Sequence, residues 1–129
     1  MNNEFGRFVE NKRLQKGYSL RGFAEMIGIA PAYMSDLEKG HRPAPPVENT
    51  EILNNIAFKL GLSNADKETM FDLAGKSRNA VSHDLPAYIM DDNRPEVRVA
   101  LRMARDMDAD SEVWKEVIRL LEEKKKKGE

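Results

Sequence analysis

Hydrophobic residues recur along this chain at intervals of three and four positions, and no stretch sustains the alternation of apolar and polar residues that is typical of a strand. The pattern therefore predicts an all-α protein. Serine, glycine and proline residues at the ends of the apolar stripes mark where helices begin and end. The predicted helices run from Phe5 to near Gly17, from Leu20 to Ile27, from Pro31 to about Lys39, from about Glu48 to Leu60, from the cap Ser63 to Gly75, from Pro95 to about Met107 and from Glu112 to Lys125.

The chain is predicted to consist of two helical parts joined by a polar linker. Residues 1–78 contain five helices, residues 79–93 form the linker, and residues 94–129 contain two amphipathic helices. The apolar stripes of these last two helices are Val97, Ala100, Leu101, Ala104 and Met107, and Val113, Trp114, Val117, Ile118 and Leu121. Three destinations for these stripes remain open: the first domain, a second copy of the chain, or a partner protein such as a toxin or an inactivating peptidase.

The most informative segment is Leu20–Lys39, where two short helices meet at a turn. Ser19 can cap the first helix, Ala24 is small enough for a close helix crossing, and Gly28 suits the turn. Both helices carry apolar residues for their inward faces, namely Phe23, Ile27, Ile29, Met34 and Leu37. This combination predicts a helix-turn-helix, whose second helix enters the major groove of DNA.

The segment Phe5–Pro45, "FGRFVENKRLQKGYSLRGFAEMIGIAPAYMSDLEKGHRPAP", resembles the XRE/Cro-type helix-turn-helix regulators. Its ending, "YMSDLEKGHRPAP", is the specific part, since that family closes its recognition helix with an acidic residue and a glycine before a basic loop. The resemblance extends over the next two helices and implies a five-helix Cro-like domain that binds DNA. It also implies a structural ion pair between Arg13 and Glu38 that ties the first helix to the third.

Two positions depart from the family pattern. Gly22 lies inside the second helix, where glycine costs roughly 1 kcal/mol relative to alanine. Ala30 leaves the third helix without a side-chain N-cap, which is worth about 1 kcal/mol. Pro31 offsets part of that loss because its φ angle is already helical. Both departures are expected to lower stability without changing the fold.

The outward face of the third helix supplies the candidate DNA contacts. Base edges would be read by Ala32, Ser35 and Asp36 through a thymine methyl contact, a hydroxyl and a carboxylate that accepts from cytosine. The phosphate contacts are predicted to come from Ser19, Arg21, Tyr33, Lys39, His41 and Arg42. This face has no Arg, Asn or Gln for a bidentate base contact, so DNA shape and dimerisation are expected to supply much of the specificity.

Composition and charge exclude several classes of protein and of functional site. The 129 residues have a net charge of -1, but residues 1–45 carry +2, residues 46–93 carry -4 and residues 94–129 carry +1. The first third is therefore the predicted electrostatic footprint on DNA, and Lys124–Lys127 is a second, weaker candidate.

There is no Cys and only two His, which excludes disulfides and multi-histidine metal sites. No apolar run approaches the roughly 20 residues of a membrane span, and no signal peptide is evident, so a cytoplasmic location is expected.

An enzymatic function is not predicted, and neither a cofactor nor a metal is expected. The consecutive residues Ser82, His83 and Asp84 do not form a hydrolytic triad, because triad members converge from separate segments. The sequence predicts a sequence-specific regulator, a repressor that binds an inverted-repeat operator as a homodimer. The alternative is an antitoxin that neutralises a partner toxin and autoregulates its operon.

Overall fold

The computed structural model describes residues 3–46 and 49–128, which form eight α-helices and no strand. The prediction of an all-α fold is confirmed. The predicted start of the fourth helix at Glu48 lies outside the described residues. The helices are α1 (Glu4–Gln15), α2 (Leu20–Ile27), α3 (Pro31–Lys39), α4 (Thr50–Leu60), α5 (Asn64–Ser77), α6 (Pro86–Ile89), α7 (Pro95–Asp106) and α8 (Ser111–Gly128).

By its internal contacts the chain divides into two compact units after Pro86. The sequence suggested a linker over residues 79–93, but residues 79–86 belong to the first unit, where Ser82 and His83 are buried. The second unit begins at Ala87 and contains α7 and α8.

The first unit is built on a single apolar core to which each of α1–α5 contributes. The stripes predicted from helical spacing supply these side chains, because residues three and four apart share one helix face. Its buried members are Phe5, Val9, Phe23, Ala24, Ile27, Met34, Ala44, Leu53, Ile56, Ala57, Leu60, Met70, Phe71 and Ala74. This core fixes α2 and α3 against the other helices and leaves one side of α3 free of it.

A glycine lets α1 approach the C-terminal end of α3. A Cβ at Gly6 would lie 2.3 Å from the carbonyl oxygens of both Leu37 and Glu38. Any side chain at this position would push α1 away from α3, so the close packing of the two helices depends on Gly6. Ala24 is also fully buried, as its predicted place at a helix crossing requires.

The predicted end of the fifth helix at Gly75 is wrong, since α5 continues to Ser77. Gly75 is buried within the helix, and the chain folds back over it after Asn79, which has a positive φ of 56°. A Cβ at Gly75 would lie 2.7 Å from the carbonyl oxygen of Ala80 and 3.1 Å from the amide nitrogen of Ser82. The glycine therefore serves close backbone packing and does not end the helix.

The second unit begins with an ordered turn and continues as two helices. The Arg94 guanidinium contacts the Asp91 carboxylate and lies 5.4 Å from the centre of the Tyr88 ring, and Arg98 donates to the carbonyl of Ile89 at 2.7 Å. None of the described residues of α7 and α8 is buried. The large apolar side chains that these helices expose are Val99, Leu101, Met103, Trp114, Val117, Ile118, Leu120 and Leu121.

Candidate nucleic-acid interface

The turn between α2 and α3 has the geometry that the sequence predicted. The Ser19 hydroxyl caps α2 by accepting from the amide of Gly22 at 3.0 Å. Gly28 ends α2 in the left-handed region with a φ of 77°, which favours glycine because other residues have a Cβ. Ala30 is extended and makes no side-chain cap, and Pro31 is the first residue of α3. Local chemistry thus sets the angle at which α3 follows α2.

The two helices bury one face and expose the other. The predicted inward residues Phe23, Ala24, Ile27, Met34 and Leu37 are buried, whereas Ile29 is only half-buried. On the opposite side of α3, Ala32 and Lys39 are exposed, and Tyr33, Ser35 and Asp36 are half-buried. The candidate base-reading residues therefore lie on a surface that the core leaves accessible.

Asp36 organises the basic end of this surface. Its carboxylate oxygens lie 3.6 Å from His41 Nδ1 and 3.8 Å from Arg42 Nε, and its backbone carbonyl accepts from the amides of His41 and Arg42 at 2.9 and 3.3 Å. The Arg42 guanidinium carbon lies 5.6 Å from the centre of the Tyr33 ring. Tyr33, Asp36, His41 and Arg42 are thus brought together in one cluster. The Asp36 carboxylate that was assigned to cytosine reading also orients two phosphate-contact candidates.

Ser19 and Arg21 lie apart from that cluster, at the N-terminal end of α2, and both are exposed. The Ser19 oxygen accepts from Gly22, which leaves the hydroxyl hydrogen available for donation to a phosphate. The first turn of a helix also presents backbone N–H groups without intrahelical partners, a favourable environment for an anion.

Arg13 joins α1, the turn before α2, and α3. Its Nε and Nη2 donate to the two carboxylate oxygens of Glu38 at 2.7 and 2.9 Å, and its Nη1 donates to the carbonyl of Tyr18 at 2.8 Å. Both side chains are more than nine-tenths buried. The hydrogen bonds to Glu38 raise the pKa of Arg13, although burial opposes this shift. The resemblance implied this pair, and the structure brings its two members together.

The loop that carries His41 and Arg42 is also held by side chains from the end of α5 and the segment after it, which were not predicted from the sequence. The Ser77 hydroxyl accepts from the amide of Ala44 at 2.8 Å, Arg78 Nη1 donates to the Ala44 carbonyl at 2.9 Å, and His83 Nε2 lies 2.7 Å from the carbonyl oxygen of Pro45. These contacts span 33 to 38 residues. Helical periodicity carries no signal for such contacts, because they join a loop to the last residue of α5 and the segment that follows it.

The neighbouring residues Ser82, His83 and Asp84 do not act on one another. Ser82 donates to the carboxylate of Asp72, His83 packs against the ring of Phe71, and Asp84 is exposed. Their arrangement is that of a packed turn. Within residues 3–46 and 49–128, no group of three or more His, Asp or Glu residues is placed to hold a metal ion.

Comparison with known proteins identifies the segment that contains this surface. Residues 9–51 match the family model described as helix-turn-helix. This segment is a helix-turn-helix of that family. The match confirms the resemblance to the XRE/Cro-type regulators, and this helix-turn-helix is the DNA-binding element of such proteins.

Among solved structures, a chain titled "SinR protein/SinI protein complex" is similar to this one, with 20% sequence identity and a TM-score of 0.46. The match covers 95% of this chain and 98% of that chain. No curated protein matches the chain. None of the described helices has both the length and the apolar character of a bilayer span.

Proposed function

We propose that this protein is a sequence-specific regulator of transcription, a repressor that occupies an inverted-repeat operator as a dimer in the cytoplasm. The observation that carries the proposal is the helix-turn-helix, whose exposed α3 face adjoins a basic loop. His41 and Arg42 in this loop are 67% and 63% exposed, and Lys39 at the end of α3 is exposed as well. Neither a metal nor a cofactor is required for binding of this kind.

The α3 face supplies the base contacts of the proposed complex. Ala32 offers a methyl group, Ser35 a hydroxyl and Asp36 a carboxylate, and each can meet a base edge in the major groove. These short side chains contact fewer atoms of a base edge than an Arg or Asn that makes two hydrogen bonds to one base. Sequence-dependent shape of the DNA and the spacing of two half-sites therefore supply the remaining specificity.

The phosphate contacts flank this face on both sides. Lys39, His41 and Arg42 lie at its C-terminal end, where Asp36 and the Tyr33 ring orient the loop side chains. Ser19 and Arg21 lie at the N-terminal end of α2. Contacts at two separate places fix the orientation of α3 in the groove, which is the usual role of phosphate contacts.

The second unit supplies the proposed dimer contact. It spans Ala87–Glu129, and a helical unit of this size with no buried residue in α7 or α8 lacks a core of its own. A second copy of the chain would cover the exposed apolar side chains.

The proposal is tested by selecting fragments of host DNA on the purified protein and measuring binding of the strongest fragment over a salt series. We expect an inverted repeat whose half-sites lie about one helical turn apart. The logarithm of the binding constant should fall linearly with the logarithm of the salt concentration, since phosphate contacts release counterions. Recovery of no fragment above the random background would refute the proposal.

Two substitutions locate the binding face. Lys39→Ala and Arg42→Ala should each weaken binding and reduce the slope of the salt dependence by about 0.9, the loss of one phosphate contact. Lys67→Ala is the matched control, because Lys67 is an exposed cation on α5 outside the proposed face. Equal effects of all three substitutions would show that only net charge matters and that the proposed face is wrong.

A second candidate function, an antitoxin, is favoured by the same exposed faces of α7 and α8, which fit a partner protein as well as a second copy. Co-expression with the product of the adjacent gene distinguishes the two. Formation of a stoichiometric complex that protects cells from that product would favour the antitoxin. A homodimer that forms no such complex would favour the simple repressor.

A further inference from the structure

The basic loop of the helix-turn-helix, residues 40–46, is held at two places by different parts of the chain. At its start, the carbonyl and carboxylate of Asp36 hold His41 and Arg42. At its end, Ala44 and Pro45 are almost completely buried and are bonded through their backbones. The partners at this end come from the last residues of α5 and the segment that follows it.

Three side chains make these bonds. Ser77 accepts from the amide of Ala44 at 2.8 Å, Arg78 donates to the carbonyl of Ala44 at 2.9 Å, and the His83 Nε2 lies 2.7 Å from the carbonyl of Pro45. A carbonyl oxygen only accepts, so the Nε2–H of His83 is the donor in this bond. We call Ser77, Arg78 and His83 the loop clamp.

The loop clamp is itself fixed to α5. The segment 80–82 lies against the backbone of Gly75, whose carbonyl accepts from the amide of Ala80 at 2.8 Å. Ser82 donates to the carboxylate of Asp72 on α5, and the His83 ring lies 6.1 Å from the ring of Phe71. His83 is therefore held on two sides, which gives the Pro45 carbonyl a fixed partner.

The Ser77 and Arg78 side chains lie outside the apolar core, whereas the His83 ring packs against the core residue Phe71. Ser77 and Arg78 contribute polar bonds to the loop, and Arg78 is exposed. The His83 side chain replaces water as the donor to a buried carbonyl, although its Nδ1 has no hydrogen-bond partner among the described residues. The bond to Pro45 satisfies a backbone carbonyl and at the same time fixes the end of the basic loop.

We propose that the loop clamp positions the basic loop for DNA, and that Ser77 and His83 are positioning residues which set the affinity of the phosphate contacts. This inference rests on the proposed DNA-binding function. A loop anchored at both ends presents His41 and Arg42 in one arrangement before DNA arrives. Binding then does not have to order the loop, and the ordering cost that weakens a mobile contact is avoided.

The test compares substitutions that leave the charges of the basic loop unchanged. Ser77→Ala and His83→Leu remove one clamp bond each. Ser63→Ala is the matched control, because Ser63 also accepts one backbone N–H, that of Asp66 at 3.1 Å, but at the far end of α5. His83→Gln retains an N–H donor for the Pro45 carbonyl and is the conservative variant.

Binding is measured on the strongest fragment from the selection, over a salt series. We expect Ser77→Ala and His83→Leu to weaken binding about five- to ten-fold, the equivalent of one hydrogen bond, and to reduce the salt slope. Ser63→Ala should bind as the unsubstituted protein does, and His83→Gln should recover much of the affinity. Unchanged affinity in both clamp variants would overturn the inference while leaving the proposed function intact.

A measurement without DNA tests separately whether the loop clamp orders the basic residues. Hydrogen exchange should quicken in Ser77→Ala at the amide of Ala44 and also at those of His41 and Arg42, whose partner is the Asp36 carbonyl. Exchange inside α3 should not change. Faster exchange at Ala44 alone would show that the clamp does not control the basic residues, and would overturn the inference.

Discussion

Arg13 shows how much of the fold depends on one side chain. Its guanidinium reaches Glu38 on α3 and the carbonyl of Tyr18 immediately before Ser19, the cap of α2. Arg13 therefore fixes both ends of the helix-turn-helix relative to α1. A buried pair of this kind stabilises little relative to an apolar pair, but the loss of one partner leaves an uncompensated charge.

We predict that Glu38→Ala destabilises the protein by about 3–5 kcal/mol, since Arg13 would keep its buried charge without a partner. The comparison is Lys12→Ala, which removes the neighbouring ion pair of Lys12 with Asp66 at 2.9 Å. That pair is partly exposed, so its loss should cost less than about 1 kcal/mol. Urea unfolding gives both values, and equal losses would contradict this account of the buried pair.

The pKa of Arg13 gives a prediction for pH. Because this pKa is raised in the folded state, the contribution of the pair is complete below the ordinary pKa of arginine and is lost only as the pH rises above it. Between about pH 7 and pH 10 the contribution should therefore stay constant. Arg13→Lys brings the titration down towards the ordinary lysine pKa of about 10.4. Unfolding measured at several pH values should show a loss of stability at alkaline pH that is larger in Arg13→Lys than in the unsubstituted protein.

At the scale of elements, the backbone approach of α1 to α3 sets the position of the recognition helix. Gly6→Ala should destabilise the protein by at least about 1–3 kcal/mol, because its Cβ would lie 2.3 Å from two carbonyl oxygens and the helices would have to move apart. Gly22→Ala is the control, since its Cβ would meet only the Ser19 hydroxyl, at 2.9 Å, and helix propensity favours alanine. Thermal unfolding that ranks Gly22→Ala as the more harmful change would contradict the packing described for α1.

The sequence predicted the helices better than their contacts. Ser19, Gly28 and Pro31 determine local geometry through their own backbone and side-chain chemistry, so the turn between α2 and α3 could be predicted from adjacent residues. Gly75 has the same local character as a helix-ending glycine, yet its role depends on the carbonyl of Ala80 folding back over it. His83 likewise acquires its role from Pro45. Contacts between such distant positions leave no periodic signal in one sequence.

The candidate site, like the fold, could be predicted only in part from the sequence. Which residues of α3 face away from the core follows from helical spacing, and the structure leaves those residues accessible. The engagement of Asp36 with His41 and Arg42 was not predicted, because it depends on the path of the loop after Gly40. Helical spacing therefore predicted which residues form the surface, whereas the contacts among their side chains depend on the path of the loop and could not be predicted.

At the scale of the whole molecule, the two units differ in how they are stabilised. The first unit contains the buried core, whereas the described residues of α7 and α8 include none that is buried. Ile118 and Leu121 are 54% and 60% exposed. Apolar surface of this extent on two neighbouring turns of a helix is typical of an interaction site. The proposed homodimer would remove it from water.

We predict that Ile118→Ser combined with Leu121→Ser converts the dimer to a monomer, because each substitution removes an apolar side chain from the proposed interface. Lys115→Ser is the control, since Lys115 is an exposed charged residue of the same helix that pairs locally with Glu112 at 3.4 Å. Analytical ultracentrifugation measures the change in mass. Because the first unit would be unaffected, the double variant should still bind a single half-site as the unsubstituted protein does, and should lose only the gain in affinity from an inverted repeat. If the double variant remains dimeric, the dimer contact lies outside α8. If the unsubstituted protein is itself monomeric at micromolar concentration, the exposed faces of α7 and α8 bind a different partner protein.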